Sequence, residues 1–461
     1  MTRDLLPETP ETPEARSDAR PGDDRRASRR DLYAAGAAVL LFTAAAVAGT
    51  VVERRDGTLH VNWPPLLATW HPHLGPGTPA ALVVAVAVVA YGPAVAARLP
   101  WRRLLAAVWG AALAWTWSLA LVDGWQRGVA GRLTTRHEYL RAVGRFQDIP
   151  AALRDFTGHI LLGTPDHWPA HVAGHPPAAT LTFVYLDRAG LGGGAWAAAW
   201  CITLGTTAAV AVLVAVRALA SERHARRAAP FLVLMPGAVW LGTSADAYFA
   251  AVAAWAAAFL ALAVTGRRPR SAGLAAGLLA GLAVYLSYGL TLLVVIGAAV
   301  LWLGPARLRP LPFVLAGCAV VPLVFTAFGF FWWDAYDLLV TRYHQGVGGD
   351  RPQPYWVWAN LACLVAVVGT ATVAGLRRAG AVLVRRARTA GGRLAVLVLA
   401  ALATLLVADL SGMSKAETER IWLPFALWLL PATAFLTGAR GWLAAQALVA
   451  LLVNHLLLTG W

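Results

Sequence analysis

Four charged positions stand where apolar runs meet polar connections, and their types suit acid–base and phosphate chemistry. Asp123 closes an apolar run in SLALVDGWQRG, and Glu138 follows in the same connection beside Tyr139. A carboxylate at a membrane–water boundary can take the proton of a hydroxyl acceptor as a general base. The same Asp at a helix end can also act only as a cap. Asp246 lies in a tight turn between two apolar runs, WLGTSADAYFA. A charge near membrane depth is costly and marks a cavity, unless the turn reaches the surface. Arg420, in TERIWLP, sits four residues before Pro424 at the start of an apolar run. A guanidinium there can fork onto a phosphate, or snorkel and pair with Glu417 and Glu419.

Two further stretches offer ligands. PDHWPAHVAGHPP carries Asp166, His167, His171 and His175, the last three at four-residue intervals. On a continuous helix that spacing builds a metal face. Pro169, Gly174 and Pro176 work against such a helix, and His175 before two prolines reads as extended chain. Hydrogen bonding of His171 and His175 to a polar substrate is the expectation, with Asp166 and His167 the weaker candidates for a divalent cation. The connection 332–356 combines Arg342, His344 and Asp350 with Asp334, Asp337, Tyr343, Arg351 and several indoles and phenols. Carboxylates, Arg and flat rings suit a sugar, although an aromatic belt alone explains Trp332, Trp333, Tyr355 and Trp356. GVGGD lacks the GK[ST] of a phosphate-binding loop.

The elements that must hold these residues follow from composition. Of 461 residues, 58% are hydrophobic and 14% charged, against roughly 45–50% and 25% in soluble domains. The bilayer must be the solvent for most of the chain, which excludes a cytosolic enzyme, a secreted domain and a disordered protein. The formal net charge of +15 is almost all Arg, gathered in short connections between apolar runs. That is the positive-inside pattern and not a nucleic-acid surface. Cys201, Cys318 and Cys363 lie inside apolar runs and form no disulfide or zinc spacing.

Residues 1–30 read as a disordered cytoplasmic tail, and 31–461 as one polytopic domain. Thirteen candidate spans follow: 32–52, 78–97, 104–122, 195–217, 229–244, 247–265, 271–286, 288–304, 311–331, 357–376, 393–409, 421–437 and 442–459. With the N-terminus inside, the six basic connections 98–103, 217–227, 266–270, 305–309, 377–393 and 438–440 all fall on the cytoplasmic side. A crossing at 175–187 would break that pattern, so this stretch is expected to be re-entrant or to lie along the outer surface. The outer connections are then 53–77, 123–174, 245–246, 287, 332–356 and 410–420. Within 123–174, EYLRAVGRF and IPAALRDFTGHILL place apolar residues at helical spacing and predict interfacial helices. No internal repeat is visible.

Together, the loop carboxylate after an early span, the interfacial pieces, the GHPP stretch, the Asp in a later outer turn and the TERIWLP motif resemble the GT-C glycosyltransferases. GHPP resembles the KPP/HPP motif of the protein O-mannosyltransferase and aminoarabinose-transferase branch. The resemblance implies an all-α integral membrane fold and transfer of a sugar from a polyprenyl-phosphate donor, with inversion. It implies that Asp123 is the catalytic carboxylate with Glu138 next in line, that His175 shapes the substrate cavity, and that Arg420 meets the lipid phosphate. In this sequence the loop follows the third span, and Asp123 is followed by Gly124 where the family has an adjacent Asp-Glu pair.

The expected activity is therefore an extracytoplasmic hexosyl- or pentosyltransferase in a multi-pass cell membrane protein. Its partners are a polyprenyl-phosphate-linked sugar, a cell-envelope glycan or glycolipid acceptor and the bilayer, with no nucleic acid. Arg or a divalent cation could stabilise the charge that develops on the leaving phosphate. The alternative is a transporter or flippase of a lipid-linked envelope precursor. That reading calls for charges at mid-membrane on several helices, whereas the charges here concentrate at helix ends.

Overall fold

Runs rich in Ala, Val and Leu can satisfy their backbone in lipid only as helices, and the chain is built from them. The computed structural model describes residues 21–386 and 388–460. The longer helices, in chain order, are α1 (Pro21–Asp56), α2 (Thr78–Arg98), α3 (Trp101–Ala120), α4 (Ala178–Arg188) and α5 (Gly194–Leu219). They continue with α6 (Glu222–Val233), α7 (Ala245–Val264), α8 (Pro269–Leu286), α9 (Tyr288–Leu303) and α10 (Leu311–Ala327). The last are α11 (Trp332–Gln345), α12 (Gln353–Arg386), α13 (Ala390–Leu410), α14 (Leu423–Phe435) and α15 (Ala439–Leu456). Two three-residue strands, β1 (Ala68–Trp70) and β2 (Leu457–Thr459), pair antiparallel with Ala68 opposite Thr459.

Among the described residues eight helices are long and apolar enough to cross a membrane, or nine if α10 and α11, bent by 78°, count as one span. The chain is thus a multi-pass, all-helical membrane protein, with fewer full-length helices than the thirteen apolar runs. Proline accounts for part of the difference. The run 229–244 leaves its helix after Val233, passes Pro236 and resumes as a single turn, while Gly237 N–H donates to the Val367 carbonyl at 2.8 Å. The run 421–437 is broken into short turns around Pro424 and Pro431. The stretch 175–187 becomes α4, whose 11 residues span about 16 Å at the usual helical rise, half of a bilayer core. The expected interfacial helices are shorter than their apolar spacing suggested. The first becomes two 3₁₀ turns, and the second is the six-residue helix Ile149–Arg154, capped by Asp148, followed by another turn.

The core gathers around α7, whose apolar window is 83% buried. Its run of alanines allows close helix approach. Gly277 of α8 has the same use: a Cβ there would stand 2.0 Å from the Val314 carbonyl oxygen of α10.

The tail expected over 1–30 lies mostly outside the described residues. Residues 1–20 lie outside the described residues, and 21–30 are the first turns of α1. Asp31 follows them, buried, and accepts from Arg377 and Arg378 at the far end of α12. Arg378 also reaches the Phe435 carbonyl, Arg227 that of Leu436, Arg226 that of Leu99, and Arg393 that of Leu303. Ala306 N–H donates to the Val264 carbonyl. These links collect the basic connections at one end of the bundle.

The connection 53–77, expected as an outer loop, instead folds back along the bundle. Trp63 packs on Phe42, ring centroids 6.1 Å apart. Phe42 lies eleven residues, about 16 Å of helix, from Asp31. Cys363 Sγ donates to the Pro65 carbonyl at 3.3 Å. Backbone at such depth needs internal partners. Pro64 and Pro65 bring no N–H, and Leu67 N–H donates to Glu419 Oε1 at 3.0 Å.

Candidate active site

Four distant segments meet at the end of the bundle opposite the arginine-rich connections. Glu138 precedes the turn Tyr139–Arg141 in extended conformation and makes no cap bond, so its carboxylate turns inward. Oε1 lies 3.1 Å from Nδ1 of His171, while Oε2 is buried without a hydrogen-bond partner. An orphaned carboxylate oxygen is expensive and calls for an explanation. A substrate hydroxyl would supply one.

Tyr139 forms the aromatic floor. Its ring stacks on Phe183 of α4 at 5.5 Å and touches His171 at 5.8 Å and His175 at 5.6 Å. Burial holds its phenol well above the usual range. His175 donates through Nδ1 to the His171 carbonyl at 2.8 Å. Burial lowers its pKa to about 4, against the pull of Asp246, so this ring is neutral and Nε2 is its basic nitrogen.

Ser244 caps α7. Its hydroxyl oxygen accepts Asp246 N–H at 3.0 Å and donates to Asp246 Oδ2 at 3.3 Å. The first helical turn favours a carboxylate. Arg420, on the short helix Thr418–Ile421, donates through Nη1 to that same Oδ2 and through Nη2 to Glu417 Oε2 at 3.3 Å. Arg351 approaches Glu417 at 3.7 Å. Burial disfavours charge on Glu417, yet Arg420 and Arg351 outweigh it and hold the carboxyl below its ordinary value. For Arg420, Asp246 and Glu417 likewise overcome burial and raise its pKa. Thr243, Ala416 and Glu417 take φ of 82°, 64° and 60° around the same place. Such left-handed residues cost about 1–3 kcal/mol each and collect at functional sites.

Arg132, Glu138, Tyr139, Thr243, Ser244 and Arg420 line one narrow cleft. Asp123 stands behind it. His73 Nε2 at 2.9 Å, Arg132 Nη2 at 3.1 Å and Arg127 Nε at 3.4 Å share its carboxylate. Arg132 therefore connects Asp123 to the cleft. Burial, then Arg127, lowers its pKa to about 10 against the pull of Asp123.

The structure thus brings together Glu138, His171, His175, Asp246 and Arg420, with Asp123 one residue removed. The other expected residues have other partners. Arg342 donates to the Trp168 carbonyl at 3.4 Å, the His344 ring packs against Tyr343 at 5.5 Å, and Asp350 faces His60 at 3.5 Å. Asp166 and His167 are exposed. No three His, Cys, Asp or Glu residues among the described ones group as metal ligands. Sequence reasoning missed His73 and Arg132. Arg132 carried a signal, lying nine residues after Asp123 in the loop already singled out; His73 lay in a connection read as plain outer loop.

Fold and site together define a polytopic helical membrane protein with a charged cleft at one end of its helices. No protein-family model and no curated protein matches the chain. Among solved structures, the Archaeoglobus fulgidus oligosaccharyltransferase in complex with Zn and sulfate is similar, at 14% identity over 75% of this chain and 51% of its own, TM-score 0.46. ArnT from Cupriavidus metallidurans in the apo state is similar at 17% identity over 73% of this chain and 60% of its own, TM-score 0.44. Archaeal oligosaccharyltransferase AglB from Archaeoglobus fulgidus, in complex with an inhibitory peptide and a dolichol-phosphate, shows 12% identity over 72% and 50%, TM-score 0.43. The chain spans half to three-fifths of the length of these structures.

Proposed function

We propose that this chain is a GT-C-type glycosyltransferase of the cell membrane. It moves a sugar from a polyprenyl-phosphate donor to a cell-envelope acceptor at the end opposite the basic connections, the extracytoplasmic face. The observation that carries the reading is the cleft in which an unbonded carboxylate oxygen of Glu138 stands with two arginines, Arg132 and Arg420. The acceptor hydroxyl gives its proton to Glu138 as its oxygen attacks the anomeric carbon. The bond from that carbon to the phosphate oxygen breaks, and its electron pair leaves on the polyprenyl phosphate. The arginines stabilise the charge on the leaving group, and one displacement inverts the centre. Glu138 suits the role of base better than Asp123, because His73, Arg127 and Arg132 already occupy the Asp123 oxygens. Asp123 then holds Arg132 in place.

The test is transfer in proteoliposomes, with a panel of radiolabelled polyprenyl-phosphate sugars and an envelope glycolipid extract as acceptor. Wild type is expected to move label. Glu138→Gln is expected to lose about 10²–10⁴-fold in kcat, the usual worth of a general base. Asp123→Asn is expected chiefly to raise KM for the donor. The opposite split would make Asp123 the base. No transfer by folded wild type, with the donor changing leaflet, would replace this reading with a flippase.

A further inference from the structure

We propose that His73 is a positioning residue of this site: by engaging Asp123 it keeps the charge of Arg132 available to an anion in the cleft. The inference rests on the reading above, and its test separates the two.

His73 is placed by backbone. Its N–H donates to the His455 carbonyl at 2.8 Å, and His71 N–H donates to Leu456 at 2.9 Å, which extends the β1–β2 ladder to the end of α15. Its ring stacks on His455 at 6.5 Å, and His455 Nε2 is itself held by the Thr78 hydroxyl at 3.0 Å. The ring cannot turn from Asp123 without breaking this frame. Nδ1 lies 2.8 Å from the His71 carbonyl and Nε2 2.9 Å from Asp123 Oδ1. A neutral imidazole has one N–H. Two oxygen partners, one a carboxylate, are satisfied by the imidazolium.

Three cations then share one carboxylate. His73 takes Oδ1, while Arg132 and Arg127 share Oδ2. The Thr459 carbonyl of β2 receives Nη2 of Arg127 at 3.2 Å and Nη1 of Arg132 at 3.3 Å, which orients both guanidiniums without neutralising them. With His73 charged, the group carries three positive charges against one negative. Arg132 is the member that lines the cleft. Without the imidazolium, Asp123 can close bidentate on an arginine, and the field that reaches an anion weakens.

A merely structural tie between the connection 53–77 and the end of α3 predicts something else. Glutamine at position 73 keeps a hydrogen-bond donor without charge, whereas lysine keeps the charge. The experiment uses the full chain in nanodiscs of zwitterionic lipid, with unglycosylated polyprenyl phosphate as the probe. Binding and transfer are measured for wild type, His73→Gln, His73→Lys, Arg132→Gln and His73→Gln/Arg132→Gln. His73→Gln is expected to weaken phosphate binding about tenfold, the scale of one partly screened charge contact, and to raise KM for the donor. His73→Lys is expected to restore binding. In the Arg132→Gln background the His73 change is expected to have no further effect, since the two act as one unit. Equal binding by wild type and His73→Gln overturns the proposal, as does an undiminished effect without Arg132. If wild type binds the phosphate but transfers no sugar, the transferase reading falls while the binding cycle still decides His73.

Discussion

Arg420 donates to Asp246 across 174 residues of sequence, joining the first turn of α7 to the short helix Thr418–Ile421. Both side chains are about 95% buried. Glu417 takes the second arm of the same guanidinium. Buried pairs seldom add much net stability, yet removing one partner leaves a buried charge uncompensated. Three charged groups meeting here therefore serve the geometry of the cleft rather than the strength of the bundle.

Arg420→Gln is expected to destabilise the protein by about 3–5 kcal/mol, because Asp246 and Glu417 lose their counter-ion. Asp246→Asn in the same chain is expected to return a large part of that loss without returning activity. Thermal unfolding in detergent micelles and the transfer assay check the two halves. Full activity in the double variant would remove Arg420 from the donor-phosphate role.

Glu419 beside it behaves in the opposite way. Burial raises its carboxyl to about 7, against the opposing effect of the Leu67 N–H bond. The folded protein then binds a proton that the unfolded chain releases near 4.5. Stability from this group is present below about 4.5 and is lost as pH rises through about 7, by on the order of 3 kcal/mol. Glu419→Gln keeps the acceptor for Leu67 and removes the titration. The variant is expected to melt higher than wild type at pH 8 and similarly at pH 5.

The charge pattern was legible in the sequence because it depends only on which connections hold Arg, and those connections do meet at one end. Asp246 and Arg420 were legible singly, since a charge beside an apolar run needs a reason. Their pairing was not, because no local spacing encodes a contact across 174 residues. Glu138 ranked below Asp123 because residue type and loop position cannot show that three cations occupy one carboxylate while the other keeps a bare oxygen. His73 was hidden by its connection: 53–77 is polar enough to pass for an outer loop, and its descent to Phe42 is set by Pro64, Pro65, Cys363 and Glu419 together. Apolar runs and full-length helices differ in number where Pro236, Pro424 and Pro431 break runs that hydropathy alone reads as continuous.

Tyr139→Phe separates packing from chemistry. The hydroxyl is buried without a hydrogen-bond partner, so deleting it removes no bond and leaves the ring contacts with Phe183, His171 and His175 intact. The melting temperature is expected to stay within about 2 °C of wild type, as for changes of up to roughly 0.5 kcal/mol. Any loss of transfer then reports a contact between this hydroxyl and the substrate in the cleft. Unchanged transfer would limit Tyr139 to shaping the floor.

His175 supplies the slope that Glu419 masks. Its folded pKa of about 4 lies below the ordinary 6.5, so between those values the unfolded chain binds a proton that the native site refuses. Its contribution is fully present above about 6.5 and is lost as pH falls toward 4. In wild type this acid penalty and the acid gain from Glu419 overlap and partly cancel. Glu419→Gln is therefore expected to melt progressively lower as pH falls from about 6.5 to 4. His175→Asn, whose amide can still donate to the His171 carbonyl, is expected to melt higher over the same range. The double variant is expected to be nearly flat. Melting curves from pH 4 to 8 decide this. A wild-type slope that survives in the double variant would assign the titration to groups other than these two.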